Sequence, residues 1–159
     1  MSAQPRLTHV DERGAARMVD VSGKAVTTRT AVASGFLRLG PTVIGLLRGE
    51  GVPKGDALAV ARIAGISGAK RTAELIPLCH PLPIHAVEVE LDVRDDGVSI
   101  VATVRTAERT GVEMEALTAV TVAGLTLVDM VKGVEKGSVL TDVRVESKTG
   151  GASGDWSRT

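Results

Sequence analysis

Asp129 and Lys132 are the residues whose types and spacing most directly suggest chemistry. They lie three positions apart in a stretch whose apolar pattern predicts a helix, so their side chains share one helix face. A carboxylate and a lysine held together in a partly dry place can divide acid and base work, because desolvation and neighbouring charges shift their pKa values. An exposed ion pair near the helix end is an equally good interpretation of this spacing.

A second polar group lies in a segment that prolines interrupt. Cys79 and His80 are neighbours between Pro77 and Pro81. Adjacent side chains on extended backbone diverge, and one cysteine with scattered histidines is poor evidence for a nucleophilic pair or for zinc. The favoured interpretation is a buried structural cysteine beside a hydrogen-bonded loop histidine. The functional alternative is a rigid ligand-contacting loop in which His80 donates a hydrogen bond or carries a proton.

Acidic residues open the predicted long helix. Thr110 and Glu113 have the spacing of a capping box, which predicts that the helix begins there. The helix dipole alone favours Glu113 and Glu115 in a first turn. Paired carboxylates can also accept the adjacent N–H groups of a guanine-like or pterin-like ring. The sequence favours the structural interpretation and leaves ring binding open.

Lys54 precedes Gly55 and Asp56 in the loop before another predicted helix. A lysine and a glycine just ahead of a helix N-terminus can hold a phosphate against backbone N–H groups. Three residues are a weak signal, and an ordinary helix cap by Asp56 is the favoured alternative.

The elements that must position these residues follow from periodicity and turn residues. The predicted elements are a strand at 24–39, helices at 41–48 and 56–73, strands at 87–93 and 98–104, a helix at 110–134 and a strand at 138–146. This order is that of a ferredoxin-like split βαβ fold of the α+β class, a four-stranded antiparallel sheet with helices on one face. Uncovered sheet edges favour a homo-oligomer. We expect one domain over residues 1–159, with flexible ends at 1–13 and 149–159.

Composition excludes several classes of protein. Lys plus Arg and Asp plus Glu number 19 each, and Phe36 and Trp156 are the only aromatic residues. Nucleic-acid binding needs surplus basic residues and, for single strands, aromatic stacking platforms, so no such partner is expected. The sequence shows neither a secretory signal nor a charge-free run of about 20 residues, so no membrane association is expected. With its single cysteine, a cytoplasmic location is the expectation.

Several strings resemble one family when they are taken in order. The strings are Met18–Val21, Lys54–Asp56, Ala61–Ile66, Ala69–Thr72, Leu75–Leu82, Thr110–Thr118 and Asp129–Met130. Together they closely resemble the MoaC family, the cyclic pyranopterin monophosphate synthases of molybdenum-cofactor biosynthesis. The similarity runs from about Leu7 to Asp155.

The resemblance implies a lyase that converts 3′,8-cyclo-7,8-dihydro-GTP to cyclic pyranopterin monophosphate and pyrophosphate. It also implies ferredoxin-like subunits in a homohexamer, a trimer of dimers with active sites at the dimer interface. No redox cofactor and no dedicated metal site are expected, although Mg²⁺ can accompany the triphosphate.

The resemblance further implies roles for the residues that match the family's motifs. Asp129, Lys132 and Lys54 match catalytic residues. Ala152 departs from the pattern, because relatives often carry a lysine there. The residues that match substrate-binding positions are Leu78, Cys79, His80, Glu113, Met114, Glu115, Lys148 and Arg29.

Two other classes of protein share this element order or fold. A ligand-binding or regulatory module can be ferredoxin-like, but it needs no acid–base pair such as Asp129 and Lys132. An RNA-recognition module needs aromatic residues on its inner strands, and the predicted hairpin at 85–106 has none.

Overall fold

A single antiparallel sheet carries helices on one face in this computed structural model, which describes residues 6–49 and 55–159. The elements are β1 (Thr27–Arg38), α1 (Pro41–Arg48), α2 (Ala57–Lys70), α3 (Thr72–Leu75), β2 (Ala86–Val93), β3 (Gly97–Glu108), α4 (Glu113–Val131), β4 (Val139–Thr149) and β5 (Trp156–Ser157). The strand order is β2-β3-β1-β4-β5, and every neighbouring pair is antiparallel. The predicted ferredoxin-like α+β class is confirmed.

The central strand β1 turns its smallest residues toward the helices. Ala31, Ala33 and Gly35 are buried, whereas the alternate residues Thr30 and Val32 are only half-buried on the opposite face. A Cβ added to Gly35 would lie 2.6 Å from a methyl carbon of Val120 in α4. The close approach of α4 therefore requires small residues on this face, and the β-branched residues that mark the strand in the sequence occupy the other face.

Helix α4 is the core of the helical layer, because it contacts α2 as well as β1, β3 and β4. Gly65 and Gly68 let α2 approach closely: a Cβ on Gly65 would lie 2.9 Å from the Ala119 carbonyl oxygen, and one on Gly68 would lie 2.8 Å from Val122. With 19 residues and a mean hydropathy of 1.5, α4 has the length and composition of a membrane span. Its packing inside the domain gives these apolar residues protein neighbours instead.

The hairpin is confirmed, while two helices differ from the prediction. In the hairpin, Val93 of β2 faces Val98 of β3. The capping box is wrong, because α4 begins at Glu113 after Val112, which makes no side-chain capping bond. The Glu113 carboxylate folds back over Gly111 instead, where any Cβ would collide with it. The predicted helix at 56–73 is interrupted at Arg71, whose φ of −110° leaves the helical range.

The C-terminal segment forms a strand that the sequence did not predict. Trp156 and Ser157 pair with Lys148 and Ser147 of β4. Glycines with positive φ, among them Gly150 and Gly151, make the reversal possible. The β5 strand brings residues 150–155 back beside β4 and, as described below, against a cavity.

Candidate active site

The larger of two adjoining cavities lies beside the N-terminal end of α4 and has a volume of about 300 Å³. Three segments form it: the irregular chain before β1, the proline-interrupted segment before β2, and the first turn of α4. No Phe, Tyr or Trp is found among the lining residues that the structure describes. These are Thr8, His9, Val19, Val21, Lys24, Leu78, Cys79, His80, Leu82, Thr110, Gly111, Glu113, Met114 and Glu115. Six predicted substrate-binding residues, from two of the segments, therefore meet in one cavity.

The smaller cavity, of about 160 Å³, is rich in cations. Lys24, Arg29 and Lys148 line it, as do Gly150 and Ser153 of the C-terminal segment. Both predicted basic residues, Arg29 and Lys148, are thus brought together. Residues common to both cavities show that they share a wall, which is made of Lys24, Thr110, Gly111 and Glu113.

Backbone and hydroxyl groups fix the cations of the smaller cavity. Arg29 donates from Nε to the Glu108 carbonyl oxygen at 2.8 Å, and Lys148 donates from Nζ to Ser153 Oγ. Gly151 lies so close to the Arg29 guanidinium that any Cβ there would collide with it. Ordered cations present charge to an anion with little further loss of side-chain entropy on binding.

Glu115 is the acid of the larger cavity whose pKa departs furthest from its ordinary value. Its side chain belongs to a residue only 4% exposed, and Oε2 has no hydrogen-bond partner among residues 6–49 and 55–159. Burial raises its pKa to about 7, and the neighbouring charge of Glu113 also raises it. Near neutral pH this carboxyl can therefore either donate or accept a hydrogen bond inside the cavity.

Cys79 is a half-buried free thiol on the same cavity wall. Burial raises the pKa of the thiol, and the charge of Glu115 raises it further. A thiol with a raised pKa is poorly ionised at neutral pH, and only the thiolate is a strong nucleophile. This environment disfavours covalent chemistry at Cys79, although the thiol is half-buried on a cavity wall and not fully buried as the favoured sequence interpretation has it.

His80 uses one ring nitrogen to hold the chain before β1. Nε2 lies 2.7 Å from the Val19 carbonyl oxygen. Because a carbonyl oxygen only accepts hydrogen bonds, Nε2 carries the hydrogen in this contact. Nδ1 is the ring nitrogen that this contact does not use. His80 thus lines the cavity and also ties one of its three segments in place.

Asp129 and Lys132 form the predicted ion pair at the other end of α4. Lys132 Nζ lies 2.6 Å from Asp129 Oδ1, and the two side chains are 58% and 60% exposed. The alternative of an exposed pair is therefore correct for the single chain, and the partly dry setting is not found there. Asp129 follows Glu115 by fourteen positions in one helix, which at 1.5 Å per residue separates them by about 21 Å.

Lys54 lies outside the described residues, so its predicted catalytic role stays a prediction. The cap next to it is present: Asp56 Oδ1 accepts a hydrogen bond from the Ala59 N–H at 3.0 Å. Among the described ranges, no group of three or more His, Cys, Asp or Glu side chains is placed to hold a metal ion.

Lys24 is a cationic cavity residue to which the sequence interpretation gave no role. The periodicity placed it at the start of the first strand, but β1 begins at Thr27, and Lys24 lies in the irregular segment that borders both cavities. The sequence feature that could have indicated Lys24 is its position three residues after Met18–Val21, one of the strings that carry the family resemblance.

Comparison with known proteins finds one family throughout. The model of the MoaC family matches residues 18–151. A cyclic pyranopterin monophosphate synthase of Streptomyces avermitilis is 72% identical over 157 residues, which cover 99% of this chain and 92% of the relative. A protein of the same name from a Nocardioides species is 70% identical, with 99% of each chain covered. One from Corynebacterium glutamicum is 59% identical, with 96% of this chain and 97% of the relative covered.

Proposed function

The chain belongs to the MoaC family, and from that premise we propose that it is a lyase of molybdenum-cofactor biosynthesis. Its substrate is 3′,8-cyclo-7,8-dihydro-GTP, and its products are cyclic pyranopterin monophosphate and pyrophosphate. The observation that carries the proposal is the pair of adjoining cavities. One is lined by carboxyl groups and the other by cations, which matches a substrate with a hydrogen-bonding ring at one end and a triphosphate at the other.

The larger cavity suits the ring. Its volume of about 300 Å³ is at the lower end of small-molecule sites. Glu113 and Glu115 offer carboxyl oxygens to ring N–H groups, and the protonated form of Glu115 can donate to a ring carbonyl or nitrogen. With no Phe, Tyr or Trp among its described lining residues, the cavity holds the ring by hydrogen bonds, without stacking on a side chain of those three types.

The smaller cavity suits the triphosphate. In the phosphate step a sugar hydroxyl forms a bond to the α-phosphorus, the bond to the β-phosphate oxygen breaks, pyrophosphate leaves, and the hydroxyl proton passes to a base. Negative charge builds on the phosphate oxygens, and fixed cations stabilise it. Arg29 and Lys148 are already ordered for this task, and Mg²⁺ can bind with the triphosphate.

The acid–base steps are assigned to Asp129 and Lys132, with Lys54. Since Asp129 lies about 21 Å along α4 from Glu115 and Lys132 follows it just beyond the helix end, one chain does not bring the pair to its own cavity. A second copy that supplies its own pair would complete the site and remove the pair from water. This supports a dimer as the catalytic unit, within a homohexamer built as a trimer of dimers.

The reaction rearranges bonds without net oxidation, so no redox cofactor is needed. Cys79 is a free thiol, as expected for a cytoplasmic enzyme, and that location is part of the proposal.

The test is to incubate purified protein with 3′,8-cyclo-7,8-dihydro-GTP and to measure pyrophosphate and the pterin product. We expect both in equal amounts. A ligand-binding module would bind the compound without releasing pyrophosphate, and that outcome would overturn the enzymatic proposal.

A further inference from the structure

Lys24 occupies a distinct position in the wall between the two cavities. It is the only cationic side chain among the described residues that lines both of them. In a ligand whose ring lies in the larger cavity and whose terminal phosphates lie in the smaller one, the phosphate nearest the sugar lies at the shared wall. That phosphate is the one attacked in the proposed reaction.

The backbone of Lys24 is held by hydrogen bonds. Its N–H donates to the Val21 carbonyl oxygen at 3.0 Å, and its own carbonyl oxygen accepts from Arg109 Nε at 3.1 Å. The preceding turn is closed by the Ser22 N–H, which donates to Asp20 Oδ1 at 2.9 Å. The segment is irregular, yet its course beside the cavities is set by specific contacts.

Two consecutive residues at the end of β3 organise two of the cations. The carbonyl oxygen of Glu108 accepts from Arg29, and the side chain of Arg109 donates to the backbone of Lys24. Arg109 lines neither cavity. Arg109 is therefore linked to the cavities indirectly, by its hydrogen bond to the carbonyl oxygen of Lys24.

The charge of Lys24 is available to a ligand. Among residues 6–49 and 55–159, no carboxylate forms an ion pair with it, whereas Lys132 is paired with Asp129. The described lining of the smaller cavity holds Lys24, Arg29 and Lys148 against the single carboxylate of Glu113. An anionic group at the shared wall would meet an excess of positive charge.

We propose that Lys24 binds the phosphate nearest the sugar at the junction of the two cavities, and that Arg109 is the residue that positions it. The inference rests on the proposed function. Lys24 touches the substrate and stabilises charge there, while Arg109 acts only by fixing the backbone from which Lys24 extends.

The test is a double-mutant cycle with Lys24→Ala, Arg109→Ala and the double variant. Both side chains are exposed, so the variants are expected to fold. Loss of a charge-assisted contact predicts a fall in kcat/KM of about tenfold or more for Lys24→Ala, and of about threefold for Arg109→Ala. In the Lys24→Ala background, Arg109→Ala should have no further effect, because its route to the substrate is already gone.

Conservative and distant variants complete the design. Lys24→Arg and Arg109→Lys should each restore most of the loss, since a cation and a donor are kept. Arg94→Ala is the matched control, because Arg94 is an exposed arginine whose ion pair with Asp92 lies at the far end of the hairpin. It should leave kcat/KM unchanged.

Affinity for GTP, measured by calorimetry, separates this inference from the proposed function. GTP carries a guanine ring and a triphosphate but lacks the cyclic bond. A wild-type chain that binds GTP in a Lys24-dependent way but releases no pyrophosphate would keep the inference and overturn the function. Turnover that is insensitive to Lys24→Ala would overturn the inference alone, as would additive effects in the cycle. Absence of both turnover and GTP binding would overturn both.

Discussion

The two ends of α4 carry carboxylates in opposite environments. Near its start, Glu115 is buried, its Oε2 has no partner among the described residues, and burial raises its pKa to about 7. Near its end, Asp129 is exposed and paired with Lys132 at 2.6 Å. A single chain thus buries the carboxyl group at one end of α4 and leaves the ion pair at the other end in water, where an ion pair of this kind contributes little to stability.

The contrast shows how one helix can serve two sites. Because α4 is packed rigidly in the core, it fixes the distance between its ends, and its two functional groups cannot approach each other by bending. The proposed acid–base pair is therefore suited to act on the cavity of another copy.

The largest expected effect comes from Asp129→Asn. Loss of general acid–base chemistry should lower kcat by about 10²- to 10⁴-fold, while GTP affinity at the other end of α4 stays unchanged. Steady-state kinetics and calorimetry measure the two ends separately. Retention of most of the rate would show that Asp129 has been given the wrong role.

A mixing experiment tests whether the two ends come from different chains. Asp129→Asn and Lys148→Ala should each be nearly inactive alone. After unfolding and refolding together in equal amounts, half of randomly formed dimers are mixed and carry one intact site each, so about a quarter of the wild-type activity should return. No recovery, with the oligomer intact by light scattering, would place both ends in one chain's site.

Leu125 offers a way to break the approach of a second copy without touching either end. It is 58% exposed and lies one turn before Asp129 on the same helix face. Leu125→Asp should lower turnover by about tenfold or more through weakened association, because a buried charge at an interface is costly. GTP binding should persist. Sedimentation measures the assembly, and Leu125→Met is the matched control.

Glu115→Gln probes the buried end through stability. A carboxyl whose folded pKa is raised from 4.5 to about 7 favours folding below pH 4.5, and this contribution is lost as the pH rises through 7. Wild-type stability should therefore fall relative to Glu115→Gln between pH 5 and 8, by up to about 3 kcal/mol. Denaturant unfolding at both pH values measures it, with the exposed Glu90→Gln as control. Parallel curves for Glu115→Gln and wild type would contradict the buried environment.

The smallest effect is expected from Ala152→Lys. Ala152 lies between Gly151 and Ser153, beside the cationic cavity. An added exposed cation should lower KM by about twofold to threefold, with a steeper dependence on salt. Ala152→Gln is the uncharged control, and an equal effect of both variants would exclude the charge as the cause.

Much of the fold could be predicted because its signals are local. Alternation and a tight turn defined the hairpin of β2 and β3, and Asp56 capped α2 as its type suggests. Even the separation of Glu115 from Asp129 follows from sequence, since a helix has a fixed rise.

The remainder depends on contacts between distant segments. The capping-box pattern at Thr110 and Glu113 failed because Glu113 turns to the cavities instead. The β5 strand depends on pairing with β4, and its two residues carry no periodicity of their own. Lys24 was missed because its importance comes from two cavities that exist only in the folded chain.

The three-segment construction of the larger cavity has a consequence for folding. The Asp129–Lys132 pair is local and can form in any chain that has made this turn of helix, whereas the cavity needs segments about a hundred residues apart to be in place together. Contacts of such long range form late and are lost with cooperative opening of the segment that carries them. On gentle heating, ligand binding should therefore disappear before the circular dichroism of the helices changes.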